Sequence, residues 1–256
     1  MKNPSQARKL TGKETLFDLL IHDLTGPLSV ASVSATRLLG KADRNGSLTE
    51  RQTAGLDRIL RNVNKAQDIL REMIEILRSE SELVRRESFP VDEILRESIL
   101  DVLEVESPVV AEKLHQEKDM RRFYKLLEPH GIFVDITGTF RDSPFCHDPR
   151  KVRCIIRNLV SNAVKYRRTR LDVSVRGEVN LLISVEDDGR GIPQGDQGAV
   201  FERFVRLTGK AYPDVPGLGL GLAGVKVLVE AMGGTISLAS REGHGARFSV
   251  DIPPLR

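Results

Sequence analysis

The sequence predicts an α+β chain in which an antiparallel helical hairpin is followed by an α/β domain. Three observations predict it. Apolar residues recur at three-four spacing in two stretches near the N-terminus, turn residues separate those stretches, and from about Ser88 onward β-rich runs punctuated by Gly and Pro alternate with helical patterns. With 256 residues, 40% of them hydrophobic, the chain can build two modest domains with a core each. We divide it into 1–86, the hairpin, and 87–256, the second domain.

In order along the chain, residues 13–41 carry Leu16, Leu19, Leu20, Leu24, Leu28, Ala31, Ala35, Leu38 and Leu39, one face of an amphipathic helix. The turn residues of ADRNGS (42–47) break that pattern. Leu56, Ile59, Leu60, Val63, Ala66, Leu70, Met73, Ile74 and Leu77 then repeat it, so the chain returns as a second long helix. Two helices with one apolar face each cannot fully bury those faces against each other. A second copy of the hairpin is the natural cover, which predicts a four-helix bundle and therefore a homodimer. In the second domain, GIFVDIT (131–137), LLISVEDD (181–188), TISLAS (235–240) and ARFSVDI (246–252) read as strands of a mixed or antiparallel sheet, covered on one side by helices. The charged stretch 101–128, with scattered Leu and Val, adds a helix or two.

Composition excludes several classes of function. A net charge of +3 with no Lys/Arg tract gives no case for a nucleic-acid partner. Cys146 and Cys154 match no metal-ligand spacing and form no disulfide framework, which points to a reducing compartment and hence the cytoplasm. No apolar run approaches the ~20 residues of a membrane span, and the polar opening MKNPSQARKL lacks the apolar stretch of a signal peptide. The chain is expected neither to cross a membrane nor to be secreted.

Three stretches of the second domain carry chemistry. In IIRNLVSNAVKY (155–166), a helix puts Ile156, Leu159, Val160 and Ala163 on one face and Asn158, Asn162 and Lys165 on the opposite one. An Asn carbonyl can coordinate Mg²⁺ and a lysine can offset phosphate charge, although the same stripe also reads as a solvated helix face. In VEDDGRGIP (185–193), Asp187 ends an apolar strand just before Gly189 and Gly191, which permit close backbone approach to a ligand. A carboxylate there can accept a hydrogen bond from the exocyclic amine of adenine, whereas alone the stretch is a turn. In PGLGLGLAGVKVLVEAMGG (216–234), Gly217, Gly219 and Gly221 run into a helix, whose free amides suit phosphate. Gly219, Gly221 and Gly224 also spell the dinucleotide fingerprint GxGxxG. That fingerprint needs a preceding strand, and KAYPDVP (210–216) does not read as one.

In order and spacing, NLVSNAVKY, DDGRGI, FERFVRL and GLGLGLA resemble the N, first glycine, F and second glycine boxes of histidine kinase ATP-binding domains. GGTISLASREGHGARFSVDIP is similar to that family's last hairpin, and FCHDPRKVRCIIRNL to its approach to the N box, so the likeness covers most of 145–253. It implies that 87–256 is a catalytic ATP-binding domain with a Bergerat-type α/β sandwich. The resemblance further implies that Asn158 and Asn162 lie beside the phosphates with Asn162 on Mg²⁺, that Lys165 is near the phosphates, and that Asp187 reads adenine. Tyr166, Gly189, Gly191, Gly217, Gly219, Gly221 and Leu222 complete the implied ATP site. The segment 195–216, with Phe201 and Phe204, would be a lid over ATP; taken alone, those two phenylalanines read as core packing.

Because this fold also serves gyrases, mismatch-repair ATPases and heat-shock chaperones, the boxes imply ATP binding and leave the acceptor open. The hairpin supplies the acceptor. In LFDLLIHDLTGPLSV (16–30), His22 with Asp23, Leu24, Pro27 and Leu28 resembles the H box of kinase dimerisation and phosphotransfer domains. A neutral imidazole nitrogen can attack the γ-phosphorus, and Asp23 is the candidate general base beside it. The implied function is autophosphorylation of His22, then transfer to an aspartate in the receiver domain of a response regulator. His115, His130, His147 and His244 lack that setting and read as structural or exposed.

The likeness has departures. Gly26 stands where these kinases commonly carry Thr or Asn, and with Pro27 it should bend or weaken the helix. The region 102–126 is longer than the usual connection, and Ala246 replaces a frequent Thr. With no sensor domain before the hairpin, the chain reads as a fragment or as a kinase controlled through its short N-terminus by another protein. Two other readings stay open, a phosphotransfer scaffold and an ATPase without autokinase activity. The first should have lost its N or glycine boxes, and the second has no reason to keep His22 beside Asp23.

Overall fold

The structure, a computed structural model, describes residues 26–38, 48–60, 63, 66, 85–202, 205 and 221–255. It divides into two compact units, Met1–Ser81 and Glu82–Arg256. His22, Asp23, Phe204, Gly217, Gly219 and the segment 210–216 lie outside the described residues.

In the first unit, residues 26–38 belong to a helix, α1, and residues 50–60, 63 and 66 to a second, α2. Thr49 starts α2 with a reciprocal cap. Its hydroxyl accepts from the Gln52 amide at 3.3 Å, while Gln52 Oε1 accepts from the Thr49 amide at 2.9 Å. Of the residues expected on the apolar faces, Ala35 and Val63 are buried, but Leu38 and Ile59 are about half exposed. Gly26 and Pro27 are both helical and exposed.

The second unit is an α/β sandwich. A five-stranded sheet runs β2 (Ile132–Ile136), β4 (Leu171–Arg176), β5 (Leu181–Asp187), β7 (Ala246–Ile252), β6 (Thr235–Ser240). Only the β2–β4 pair is parallel, so the sheet is mixed. Alternation within each strand explains its two faces. Leu171, Val173 and Val175 of β4, Leu181, Ile183 and Val185 of β5, and Phe248, Val250 and Ile252 of β7 are all buried. The intervening residues, among them Asp172, Glu186 and Arg247, stay on the wetter side.

Helices cover the buried face. Leu95, Ile99 and Leu103 of α3 (Val91–Glu106), Ile155, Ile156, Leu159 and Val160 of α6 (Pro149–Tyr166), and Val225, Leu228 and Val229 of α7 (Gly221–Ala231) join the strand residues in one core. The stretch 101–128 contains the end of α3 and two further short helices, α4 (Pro108–His115) and α5 (Met120–Leu127), whose Leu114, Phe123 and Leu127 extend that core. A pair of short strands not expected from sequence, β1 (Glu87–Phe89) and β3 (Phe145–His147), stands apart from the main sheet and brings the rings of Phe89 and Phe145 edge to face at 6.0 Å.

Candidate functional site

Helix α6 begins on a deeply buried cap. The Asp148 carboxylate accepts from the Arg150 amide at 3.1 Å and the Arg85 amide at 3.0 Å, and it pairs with the Arg150 guanidinium at 2.9 Å. Burial pushes this carboxyl up, but the hydrogen bonds and the Arg150 charge outweigh it and hold it below the usual range. The helix runs 18 residues from there, and its apolar stripe is fully buried. That burial fixes the rotation of the helix and leaves Asn158, Asn162 and Lys165 half-buried on the opposite face.

The two asparagines differ. Asn158 is tied to its own helix, its Nδ2 donating to the Cys154 carbonyl at 2.9 Å. Its Oδ1 faces the start of α7, where a Cβ placed on Gly221 would sit 3.1 Å away and 4.0 Å from Asn162 Nδ2. Glycine at 221 is thus what lets α7 begin against the polar stripe of α6. Among the described residues the Asn162 side chain makes no hydrogen bond and the Lys165 amine no ion pair. Leu222, next along α7, packs on the core.

Strand alternation carries Asp187 to the site. It follows Leu181, Ile183 and Val185 at spacing two, so its carboxylate enters the helix-covered side at the strand's end, where it is 6% exposed. Burial drives this carboxyl above its ordinary value, against hydrogen bonds from the Gly189 and Ala246 amides. Gly189 is required sterically, because a Cβ there would collide with the Tyr166 carbonyl and the Asp187 carboxylate. Gly191 has φ 71°, and a Cβ would strike the Arg241 carbonyl. Tyr166, at the end of α6, is 45% exposed. Beyond the turn, the Ile192 amide donates to Ser240 Oγ at 2.8 Å and Gln197 Nε2 to the Ile192 carbonyl at 3.0 Å. Phe201, expected in a lid, packs edge-on to Phe248 with centroids 6.2 Å apart.

These contacts bring Asn158 and Asn162 of α6 to the start of α7, and the end of α6 at Tyr166 to the Asp187–Gly191 turn. The arrangement has a buried acceptor in the turn after β5 and the free Asn162 side chain beside the start of α7, with Lys165 on the same face of α6. The described residues contain no group of three His, Cys, Asp or Glu that could hold a metal. A Mg²⁺ ion here would therefore draw on phosphate and water oxygens plus the free Asn162 carbonyl, a donor set that suits the ion. Asp188, which the sequence reading passed over, is the most heavily hydrogen-bonded carboxylate of the turn. Neither Cys146 nor Cys154 is in a disulfide. His147 is buried, and burial holds its imidazole below its ordinary pKa; His115, His130 and His244 are exposed.

Asp187 also makes a pH-dependent prediction. Its ionised form is disfavoured in the folded protein, so stability is lost as pH rises from the ordinary carboxylate value of 3.8 through the raised native one. Asp187→Asn removes that loss. In thermal melts without nucleotide, the melting temperature of the variant minus that of the parent is expected to climb over this window and level off above it. A flat difference would show that Asp187 does not titrate as a buried acid.

Residues 147–256 match the family described as histidine kinase-, DNA gyrase B- and HSP90-like ATPase. The chain is 31% identical over 240 residues to the sensor-like histidine kinase SenX3 of Mycolicibacterium smegmatis, covering 91% of this chain and 55% of the relative. It is 28% identical over 256 residues to the adaptive-response sensory kinase SasA of a Synechococcus species, covering 97% of this chain and 61% of the relative. The chain thus spans about half to three-fifths of these two relatives. Among solved structures, full-length ShkA in complex with AMPPNP superposes with a TM-score of 0.64 at 20% identity, over 94% of this chain and 46% of that one, which shows a shared fold.

Proposed function

We propose that this chain, a member of the histidine kinase family whose residues 147–256 form the ATP-binding domain, uses ATP to phosphorylate its own His22. The observation that carries the reading is that α6 meets the start of α7 at Asn158 and Asn162, and meets the turn that carries the buried Asp187 at its C-terminal end. A nucleotide needs that polarity, with a base-reading acceptor separated from a phosphate-neutralising cluster. Asp187 accepts from the adenine amine, Lys165 offsets phosphate charge, and Asn158 holds the approach of Gly221 open. Leu222 and the backbone at Gly189, Gly191, Gly217 and Gly219 line the same nucleotide. Mg²⁺, when held by Asn162 and the phosphates, supplies charge neutralisation on the transferred group. Asp23 holds the second ring N–H of His22, which fixes the tautomer that leaves a nitrogen lone pair for attack.

Two further parts follow. The half-exposed Leu38 and Ile59 on the hairpin support a homodimer, in which a second hairpin covers them. The acceptor downstream of His22 is an aspartate in a receiver domain of a response regulator, and the setting is the cytoplasm. Among the described residues no helix is long and apolar enough to cross a membrane.

The test is incubation of the full chain with γ-labelled ATP and magnesium. The expected product is a protein-bound label that is lost in acid and kept in alkali, as phosphorus–nitrogen bonds are. Hydrolysis of ATP with no bound label would instead identify an ATPase without autokinase activity.

Gly26 adds a prediction about the return reaction. A side chain one helical turn after the histidine could hold a water against an aspartyl phosphate, and glycine has none. Gly26→Asn is expected to raise the rate of phosphate release from the phosphorylated partner, and the space around a Cβ at 26 is open, so the side chain fits. Brisk release by the parent protein would overturn this. Free phosphate must be assayed, to separate hydrolysis from back-transfer to His22.

A further inference from the structure

Helix α6 and strand β5 deliver opposite ends of the proposed nucleotide site, and nothing in their regular hydrogen bonding connects them. The β4–β5 ladder sets Leu171 opposite Asp187, and one side chain beyond it ties down the residues between α6 and β4. The Asp188 carboxylate accepts from the Arg168 amide at 2.8 Å, the Thr169 amide at 3.0 Å and the Thr169 hydroxyl at 2.7 Å, and the Asp188 amide donates to the Arg170 carbonyl at 3.2 Å. All of these partners lie in the four residues that follow α6. That turn is held from other sides as well, since the Arg167 amide closes the helix on the Ala163 carbonyl and Arg167 Nη1 reaches the Gly131 carbonyl at 3.1 Å. One residue before the turn, the Tyr166 carbonyl lies directly against Gly189, in a gap that admits no Cβ.

We infer that Asp188 is a positioning residue for nucleotide recognition: by clamping the end of α6 onto the turn after β5, it fixes Asp187 relative to Asn162 and Lys165. The inference rests on the nucleotide site proposed above. Asp188 itself is not a ligand-contacting group. It acts through Asp187, whose carboxylate is set by the Gly189 amide at 2.8 Å, and Gly189 is in turn set by the packing of the clamped helix end. Burial raises the Asp188 carboxyl, but donors from Arg170, Thr169 and Arg168 outweigh it and hold the group well below the ordinary carboxylate range, so the clamp stays ionised at neutral pH. Without the carboxylate, three donors turn to water and the base-reading and phosphate-reading groups are no longer held at one spacing.

The test measures ATP and GTP affinity of the full chain, with melting temperature followed in every variant. Asp187→Asn, Asp188→Ala, Asp188→Asn and the double variant Asp187→Asn/Asp188→Ala form the set. Asp188→Ala is expected to lower the preference for ATP over GTP on the order of tenfold, the effect of losing about one charged hydrogen-bonding group at a site. In the Asp187→Asn background the same change is expected to leave the remaining preference unaltered, because the base-reading group is already lost. Asp188→Asn should restore most of the preference, since its Oδ1 still accepts the two amides and its amide group can donate to the Thr169 hydroxyl. If Asp188→Ala does not fold, Thr169→Val removes the 2.7 Å bond alone and is expected to reduce the preference several-fold.

Full preference in Asp188→Ala or Thr169→Val overturns the inference while leaving the nucleotide site in place. So does an Asp188→Ala effect that persists undiminished when Asp187 is already asparagine, which is what a purely structural role gives. If Asp187→Asn itself leaves the preference for ATP unchanged, the assignment of adenine to Asp187 fails first and the clamp's role in it falls too.

Discussion

Replacing His22 by alanine is expected to abolish acid-labile phosphorylation of the chain while ATP binding persists unchanged. The methyl group of alanine offers no lone pair to the γ-phosphorus, so the loss should be complete rather than graded. Binding should survive because every group assigned to the nucleotide lies in 158–222, whereas His22 belongs to the unit Met1–Ser81. Two measurements on one preparation decide the matter: bound label after acid and alkali treatment, and nucleotide affinity by titration. Label that persists in His22→Ala ends the assignment of His22 as acceptor. Loss of both label and ATP affinity would mean instead that the histidine supports the nucleotide unit.

Asp23→Asn refines the same experiment. The amide can still occupy the carboxylate's place but offers the imidazole no negative charge as the new bond forms, so label should appear slowly rather than not at all. A rate equal to the parent's would remove Asp23 from the chemistry.

How much of this was legible in the sequence varies with the kind of signal. Strands β2, β5, β6 and β7 were readable because each is a run of β-branched or apolar residues bounded by Gly, Pro or charged turns, and helix α6 because its apolar stripe is unbroken from Ile155 to Ala163. Strand β4 alternates as regularly, with Leu171, Val173 and Val175 inward, but it emerges from the arginine-rich run 167–170, whose charge masks the start of the pattern. The three-residue strands β1 and β3 carry no periodicity long enough to count, and only the tertiary meeting of Phe89 with Phe145 defines them. Site residues followed the same division. Spacing alone placed Asn158, Asn162 and Lys165 on one face and Asp187 at the end of an apolar strand, while its burial on the covered side came from the helices packed there. The role of Asp188 was not readable, because its partners lie 19 and 20 residues away and the register of β4 against β5 is what brings them together.

Asn162→Ala is expected to cost roughly 10²–10³ in the rate of His22 phosphorylation, the scale of losing one stabilising group at a developing charge. The structure gives a reason to separate this residue from Asn158, which shares its stripe. Asn158 spends its amide hydrogens on the Cys154 carbonyl one turn back, so Asn158→Ala removes a local helix bond and the polar neighbour of Gly221. Asn162 is half-buried with no side-chain hydrogen bond among the described residues, so truncating it leaves no protein partner unsatisfied. Its melting temperature without nucleotide should accordingly stay near the parent's, and the defect should appear only when nucleotide and metal are present. Magnesium titrations read this directly. An oxygen ligand is lost, so half-saturation should move to roughly 10–100-fold higher magnesium, the usual cost of disturbing one group around a bound metal. Asn162→Asp keeps an oxygen and adds a charge, which should recover part of the magnesium affinity but not the rate, because a second negative group then faces the phosphates. If Asn162→Ala matches the parent in both rate and magnesium dependence, the metal is held elsewhere and the free amide of Asn162 serves another purpose.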